Sequence, residues 1–352
     1  MRKTQPEFEC LLGHEPLKIQ LPSFAFDHHL PAVVPWLADI LGLVRVGGTV
    51  ADPALYPVAA LQALPAQTET VTYTSAGTPV TNTFTGTLLW DVLTDAGGVT
   101  TDPAAKNDGL SHIVVATGSD GYRAAFSIGE IDPRFGGEQI LVAYDDAAGQ
   151  LGWLREDGSA RMVVPGDTAG GRYVSHLIDL EVLAGPAFSS GVGGTSDSFT
   201  LDGAVAHALT FDLTSLAAHA SISMTTTYAA GGTPVTDTFT GVPLWDLLGE
   251  AGILTDPAVR NDSLGFYVVA TGSDGYRAAF SLGEIDPRFG NGQILVAYDD
   301  TLGRLGEDGR DGFARLVVPG DAAGGRYISN LTSIEVIDID HPPSASQDVV
   351  WA

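Results

Sequence analysis

Apolar positions along this chain come in short bursts of two kinds, and the two kinds interleave. Alternation at period two marks 44–50 and 70–75 as strands, and 80–85 continues extended after a turn at Gly77–Thr78–Pro79. Denser apolar runs predict buried strands at 112–116, 122–126 and 140–144, with further strands at 160–164 and 173–183. Val58, Leu61 and Leu64 fall on one face of a short helix at 56–64. A second helix at 88–93 ends at Gly97–Gly98. Strands and short helices alternate without a regular βαβ rhythm. That order predicts an α+β domain, mixed and strand-rich, and argues against a doubly wound sheet.

The whole pattern then occurs again. Residues 114–146 and 268–300 are identical at 30 of 33 positions, so the chain is a duplication. The expected organisation is an N-terminal extension (1–43), a first copy (44–184), a Gly/Ser-rich linker (185–198), a second copy (199–338) and a loose tail (339–352). Divergence is uneven, because 46–63 matches 201–218 at only 5 of 18 positions. Either a physical constraint or homogenisation of the two copies protects the central block.

Charge narrows the partners. The 352 residues carry 43 acidic and 17 basic side chains, a net charge of −26, and lysine occurs only at Lys3, Lys18 and Lys106. Such a field repels phosphate backbones and anionic headgroups, which disfavours nucleic acid and membrane surfaces. It suits solubility, or a salty or extracellular setting. Cys10 is the single cysteine, so neither an internal disulfide nor a cysteine metal cluster can form. No signal peptide opens the sequence, and the run at 31–44 is too short and broken to span a bilayer. The chain reads as soluble, with export open if the N-terminus is incomplete.

Three repeated elements carry candidate chemistry. Asp120–Gly121–Tyr122 and Asp274–Gly275–Tyr276 read as strand-to-strand turns. Glu130–Ile131–Asp132–Pro133–Arg134 and its partner Glu284–Arg288 read as salt-bridged turns. Arg161 leads a strand into Pro–Gly, a glycine-rich loop and Arg172; Arg315 and Arg326 repeat this. Loop amides and guanidinium groups of that kind suit an anion, although no Gly–Lys–Ser/Thr follows to make a P-loop. The acidic loops at Asp145–Asp146, Glu156–Asp157, Glu307–Asp308 and Asp311 lack the spacing of a twelve-residue calcium loop. The adjacent His28 and His29 have no spaced ligand partners. A Ser–His–Asp site is not supported, since His112 and His176 are replaced by Gly265 and Asn330 in the second copy.

Taken in order, these motifs resemble the molybdopterin-binding domain of the sulfite oxidase family. The order comprises a helix at 58–61, a strand ending in Ser75–Ala76–Gly77, then Phe84, Gly86, Leu89 and Leu93 (Phe239, Gly241, Leu244 and Leu248 in the second copy). Asp–Gly–Tyr, Leu–Val–Ala–Tyr, and Arg–x–Val–Val–Pro–Gly followed by Gly–Arg–x–Val complete it. The resemblance implies two tandem domains of that type, and it implies a cysteine thiolate on molybdenum at the strand end. Ser75 and Ala230 stand there instead, and neither offers the soft ligand such a metal favours. The family's His–Gly is Asp157–Gly158 and Asp311–Gly312 here, and its lysine is Ser175 and Ser329, which weakens a pocket for an anionic pterin.

The expected function is therefore non-catalytic: two degenerate cofactor domains binding a small anionic ligand or a protein partner. The candidate cleft comprises Ser75, Asp120, Tyr122, Arg161 and Arg172, with Ala230, Asp274, Tyr276, Arg315 and Arg326 in the second copy. No metal or cofactor is expected; molybdopterin returns only if the family activity is retained. The alternatives are a molybdopterin-dependent oxidoreductase, and a surface or scaffold protein using its Thr/Gly-rich faces.

Overall fold

The computed structural model describes residues 9–12, 15–18, 35–307 and 311–341. Positions 28–29, 308–310 and 342–352, which include the histidine pair, Asp308 and most of the expected tail, lie outside them. Contacts divide the chain into Met1–Ala32 and Val33–Ala352. In the first unit, Glu9–Leu12 and Glu15–Lys18 pair antiparallel.

The second unit is mixed α/β, rich in sheet and poor in helix. Two sheets carry the first copy. One has the order Ala54–Pro57, Leu43–Gly48, Leu177–Leu183, Ile113–Gly118, Arg123–Ser127. Leu177–Leu183 closes it, running parallel to Leu43–Gly48 and antiparallel to Ile113–Gly118. The other sheet joins Gly149–Gln150, Leu141–Asp146, Thr78–Leu88 and Ala66–Ser75, with Arg161–Val163 also on Leu141–Asp146. The second copy repeats both orders strand for strand.

Each copy fills its own core. In the first, Val44, Val46, Phe84, Leu89, Phe126, Val142 and Leu180 are fully buried, and Phe199, Leu201, Phe239, Phe280 and Val296 lead the second. A third cluster joins the copies. Ile113, Val115 and Ala125 pack on Tyr267, Val269, Ala279 and Ile337. The strands Ile113–Gly118 and Phe266–Gly272 are therefore apolar on both faces, one face meeting their own core and the other the opposite copy.

Local chemistry moved several expected boundaries. The helix expected at 56–64 is only Val58–Leu61, preceded by the strand Ala54–Pro57. Tyr56 is drawn into that strand because its hydroxyl donates to Asp95 at 2.8 Å and its ring is buried. Pro57 then starts the helix without needing an amide partner. Residues 173–176 are not strand; Gly170–Arg172 makes a 3₁₀ turn and the strand starts at Leu177. The linker is ordered on the second copy: Gly191 and Gly193 amides donate to Asp274 and Ser273 carbonyls at 3.1 and 2.9 Å. Among the described residues no helix is long and apolar enough to cross a membrane.

Candidate functional site

The strand Arg123–Ser127 is the inner edge of its sheet and packs against Arg277–Ser281 of the other copy. The residues just after each strand form the contact between copies. Ser127 caps the short helix Ile128–Ile131, its hydroxyl accepting from the Glu130 amide at 3.1 Å. The same hydroxyl donates across the boundary to Glu284 Oε2 at 2.9 Å. Ser281 mirrors it, capping Glu284 and reaching Glu130 Oε2 at 3.4 Å.

The arginine of each glycine-rich loop lies in this contact. Arg172 holds Asp167 through two bonds of 2.8 and 2.6 Å and also pairs with Glu130. Arg326 holds Asp321 at 2.8 and 2.5 Å and pairs with Glu284. Each guanidinium stem lies on a glycine of the opposite copy. A Cβ at Gly283 would come within 2.4 Å of Arg172 Cδ, and one at Gly129 within 2.3 Å of Arg326 Cδ. Phe289 covers Gly171 and Phe135 covers Gly325 in the same way. Tyr122 donates to the Gly171 carbonyl at 2.6 Å and accepts from Asn261 of the other copy at 2.8 Å. Tyr276, Gly325 and Asn107 repeat this at 2.6 and 2.9 Å. The two copies thus meet as the subunits of a twofold dimer do, each using the same surface.

The charges at the centre do not balance. Arg172 and Arg326 face Glu130, Glu284, Asp167 and Asp321, two cations against four carboxylates, all buried. Burial pushes the Glu130 carboxyl up to about 7, against the pull of Arg172 and with help from Glu284. Burial also raises Asp167 and Asp321, each opposed by its arginine. Burial works against both guanidinium charges as well, but the facing carboxylates outweigh it and hold their pKa values above the ordinary arginine range. A proton retained on Glu130 relieves part of the excess.

Arg161 and Arg315 are committed elsewhere. Arg161 pairs with Asp157, bonds the Tyr73 hydroxyl at 3.2 Å and lies 5.4 Å from the ring centres of Phe84 and Tyr173. Tyr73 and Tyr173 stack at 4.2 Å beside it. Arg315 pairs with Asp311 at 3.2 Å against Tyr228, Tyr327 and Phe239. The Nε of each arginine is buried without a partner among the described residues.

The sequence-derived candidates are drawn together only in part. Thr74, next to Ser75, donates to the Thr168 carbonyl at 2.9 Å, so the hairpin end, the glycine-rich loop, Tyr122 and Arg172 are neighbours. Ser75 and Ala230 themselves are exposed at hairpin ends. Asp120 and Asp274 spend a carboxylate oxygen on the amides of Tyr122 and Tyr276. Asp274 and Tyr276 line a cavity of about 160 Å³ with Lys106, Phe188 and Arg277. A second cavity of about 280 Å³, lined by Trp90, Asp102, Asn107, Arg134 and Phe135 among others, contains none of the ten. Within Glu130–Arg134, Arg134 pairs with Asp132 and not with Glu130. Asn107, Asn261, Phe135 and Phe289 escaped sequence reasoning, although their repetition in both copies was visible.

The donor set does not fit a thiolate-bound metal with a polyanionic pterin. An exposed hydroxyl and a methyl group stand where the resemblance would put the metal ligand. All four arginines of the candidate cleft are already neutralised by carboxylates of their own copy. Among the described residues, no three His, Cys, Asp or Glu side chains are grouped to hold a metal ion.

No protein-family model matches the chain, and no curated protein matches it. Among solved structures it is similar to the sulfane dehydrogenase SoxCD from Paracoccus pantotrophus. Identity is 14%, covering 83% of this chain and 78% of that one, with a TM-score of 0.33.

Proposed function

We propose that this protein is a non-catalytic binding scaffold built from two cofactor-domain-like copies fused as an internal dimer, and that its ligand is a protein partner. One observation carries the reading: Arg172 and Arg326, the groups best placed by sequence to grip an anion, are buried between the copies and each paired with two carboxylates, Asp167 and Glu130 or Asp321 and Glu284. A guanidinium whose charge is met by two carboxylates and whose surface is removed from water has little left for an incoming phosphate. The chemistry supports the copies holding each other where an enzyme of the resembled family would hold its cofactor.

The test restores the missing ligand. A Ser75→Cys/Ala230→Cys double variant, produced in cells that make molybdopterin, should purify without molybdenum or tungsten, because the arginines stay engaged. Stoichiometric metal in that variant would show that only the sulfur was lacking, and would return the protein to the oxidoreductases.

A second reading has its own observation. The hairpins Ala66–Ser75/Thr78–Leu88 and Ile222–Ala230/Thr233–Pro243 each expose three cross-strand hydroxyl pairs at 2.7–2.8 Å, such as Thr70–Thr83 and Thr225–Thr238. These ladders suit a surface-adhesion role. Loss of attachment when Thr70, Thr72, Thr81 and Thr83 become lysine would support it, and unchanged attachment would remove it.

A further inference from the structure

The twin copies allow one surface to be compared with itself. In the second copy the turn at 273–275 is covered. The linker runs over it, with Gly191 N on Asp274 O at 3.1 Å and Gly193 N on Ser273 O at 2.9 Å. The Ser273 hydroxyl returns a bond to Gly194 O at 2.6 Å. Arg277 takes the Pro186 and Ala187 carbonyls at 2.6 and 2.9 Å and lies 5.7 Å from the Phe188 ring. Gly275 is buried by this segment.

In the first copy, among the described residues, no segment lies over the backbone of the matching turn, Ser119–Asp120–Gly121. Gly121 is exposed, and a Cβ there would meet nothing within 4 Å. Among the described residues no hydrogen bond reaches the Ser119 carbonyl, the Asp120 carbonyl or the Ser119 hydroxyl. Arg123 is held by Asp340, a pair that is well exposed on both sides.

We propose that the Ser119–Arg123 turn is a docking seat for a glycine-containing segment of a partner protein, bound as the linker binds the second copy. This deepens the partner-binding reading above and rests on it. The seat specifies its occupant. A Cβ on Gly191 would stand 2.0 Å from the Ser273 carbonyl oxygen, so the residue at that position has to be glycine. Neither 19–34 nor 342–352 contains a glycine, so neither stretch of this chain meets the requirement. Recognition is by main-chain bonds plus a guanidinium on two carbonyls, so the seat captures a peptide through its backbone.

The probe is a synthetic peptide of residues 186–194, Pro–Ala–Phe–Ser–Ser–Gly–Val–Gly–Gly, titrated into the whole protein and followed by amide chemical shifts. Saturable shifts at 119–123 are expected. Valine in place of the first peptide glycine should weaken binding roughly tenfold or more, the effect of a clash in a close-packed contact. Arg123→Ala should weaken it, and Asp340→Asn should strengthen it by freeing Arg123. Absence of shifts at 119–123 at millimolar peptide, shifts confined to 273–277, or equal binding of the valine peptide would overturn the proposal. So would binding that appears only after removal of 342–352, since the chain would then fill its own seat. None of these outcomes touches the metal content, which tests the parent reading separately.

Discussion

Arg172 and Glu130 lie 42 positions apart, and no local spacing announces that they pair. The sequence put Glu130, Asp132 and Arg134 together as a salt-bridged turn without choosing between the two acids. Asp132 takes Arg134, whose side chain is 72% exposed, while Glu130 turns inward to a partner brought by a distant loop. What was legible at this scale was repetition: every member of the buried cluster occurs twice. Two predictions follow from its charge. Arg172→Ala leaves Asp167 and Glu130 buried without a cation and should destabilise the chain by about 3–5 kcal/mol in denaturant unfolding. The second concerns pH. The Glu130 carboxyl titrates near 7 in the folded chain, above its ordinary unfolded value. The folded state therefore holds a proton that the unfolded state has released, so this contribution is complete at pH 4 and lost as pH rises through 7. Glu130→Gln should flatten stability between pH 5 and 8, whereas the parent chain should lose stability over that window. An identical slope in both proteins would place the proton elsewhere.

Among the elements, the strands were the more legible. Alternation and apolar runs located most strands of the first copy, though not Ala54–Pro57 or Gly149–Gln150, because burial on one or two faces writes directly into period two. Helix ends were less readable, since a tertiary bond from Tyr56 to Asp95 took residues from the expected helix into a strand. The Gly/Ser-rich composition marked the linker but not its bonds: glycine is required there so that backbone can approach backbone at Ser273. The long hairpins outran the expected 70–75 because their threonines bond across the pair over Ala66–Ser75 and Thr78–Leu88. A double-mutant cycle on Thr70 and Thr83 should return a coupling of roughly 0.2–1 kcal/mol, as exposed cross-strand pairs do. A coupling of zero would mean that the ladder contributes no stability.

For the whole molecule, the uneven divergence of the copies has a physical correlate. The block shared at 30 of 33 positions supplies Tyr122, Ser127, Gly129, Glu130 and Phe135 to the contact between copies, while 46–63 runs along the far edge of the sheet. A surface that must fit its own twin is constrained on both sides at once. The net charge of −26 acts on the same assembly. Self-repulsion opposes compaction and is screened over about 3 Å in 1 M salt against about 10 Å in 0.1 M. The thermal midpoint should therefore climb between 0.1 and 1 M KCl, and a fall would mean that attractive surface pairs dominate. The central claim is that these copies grip one another instead of a cofactor. Metal and pterin content of the native protein, purified from cells supplied with molybdate and tungstate, tests it most directly. Neither metal should exceed trace level and oxidation should release no fluorescent pterin; about one molybdenum or tungsten atom per copy, released with pterin, would mean that the copies hold a cofactor after all.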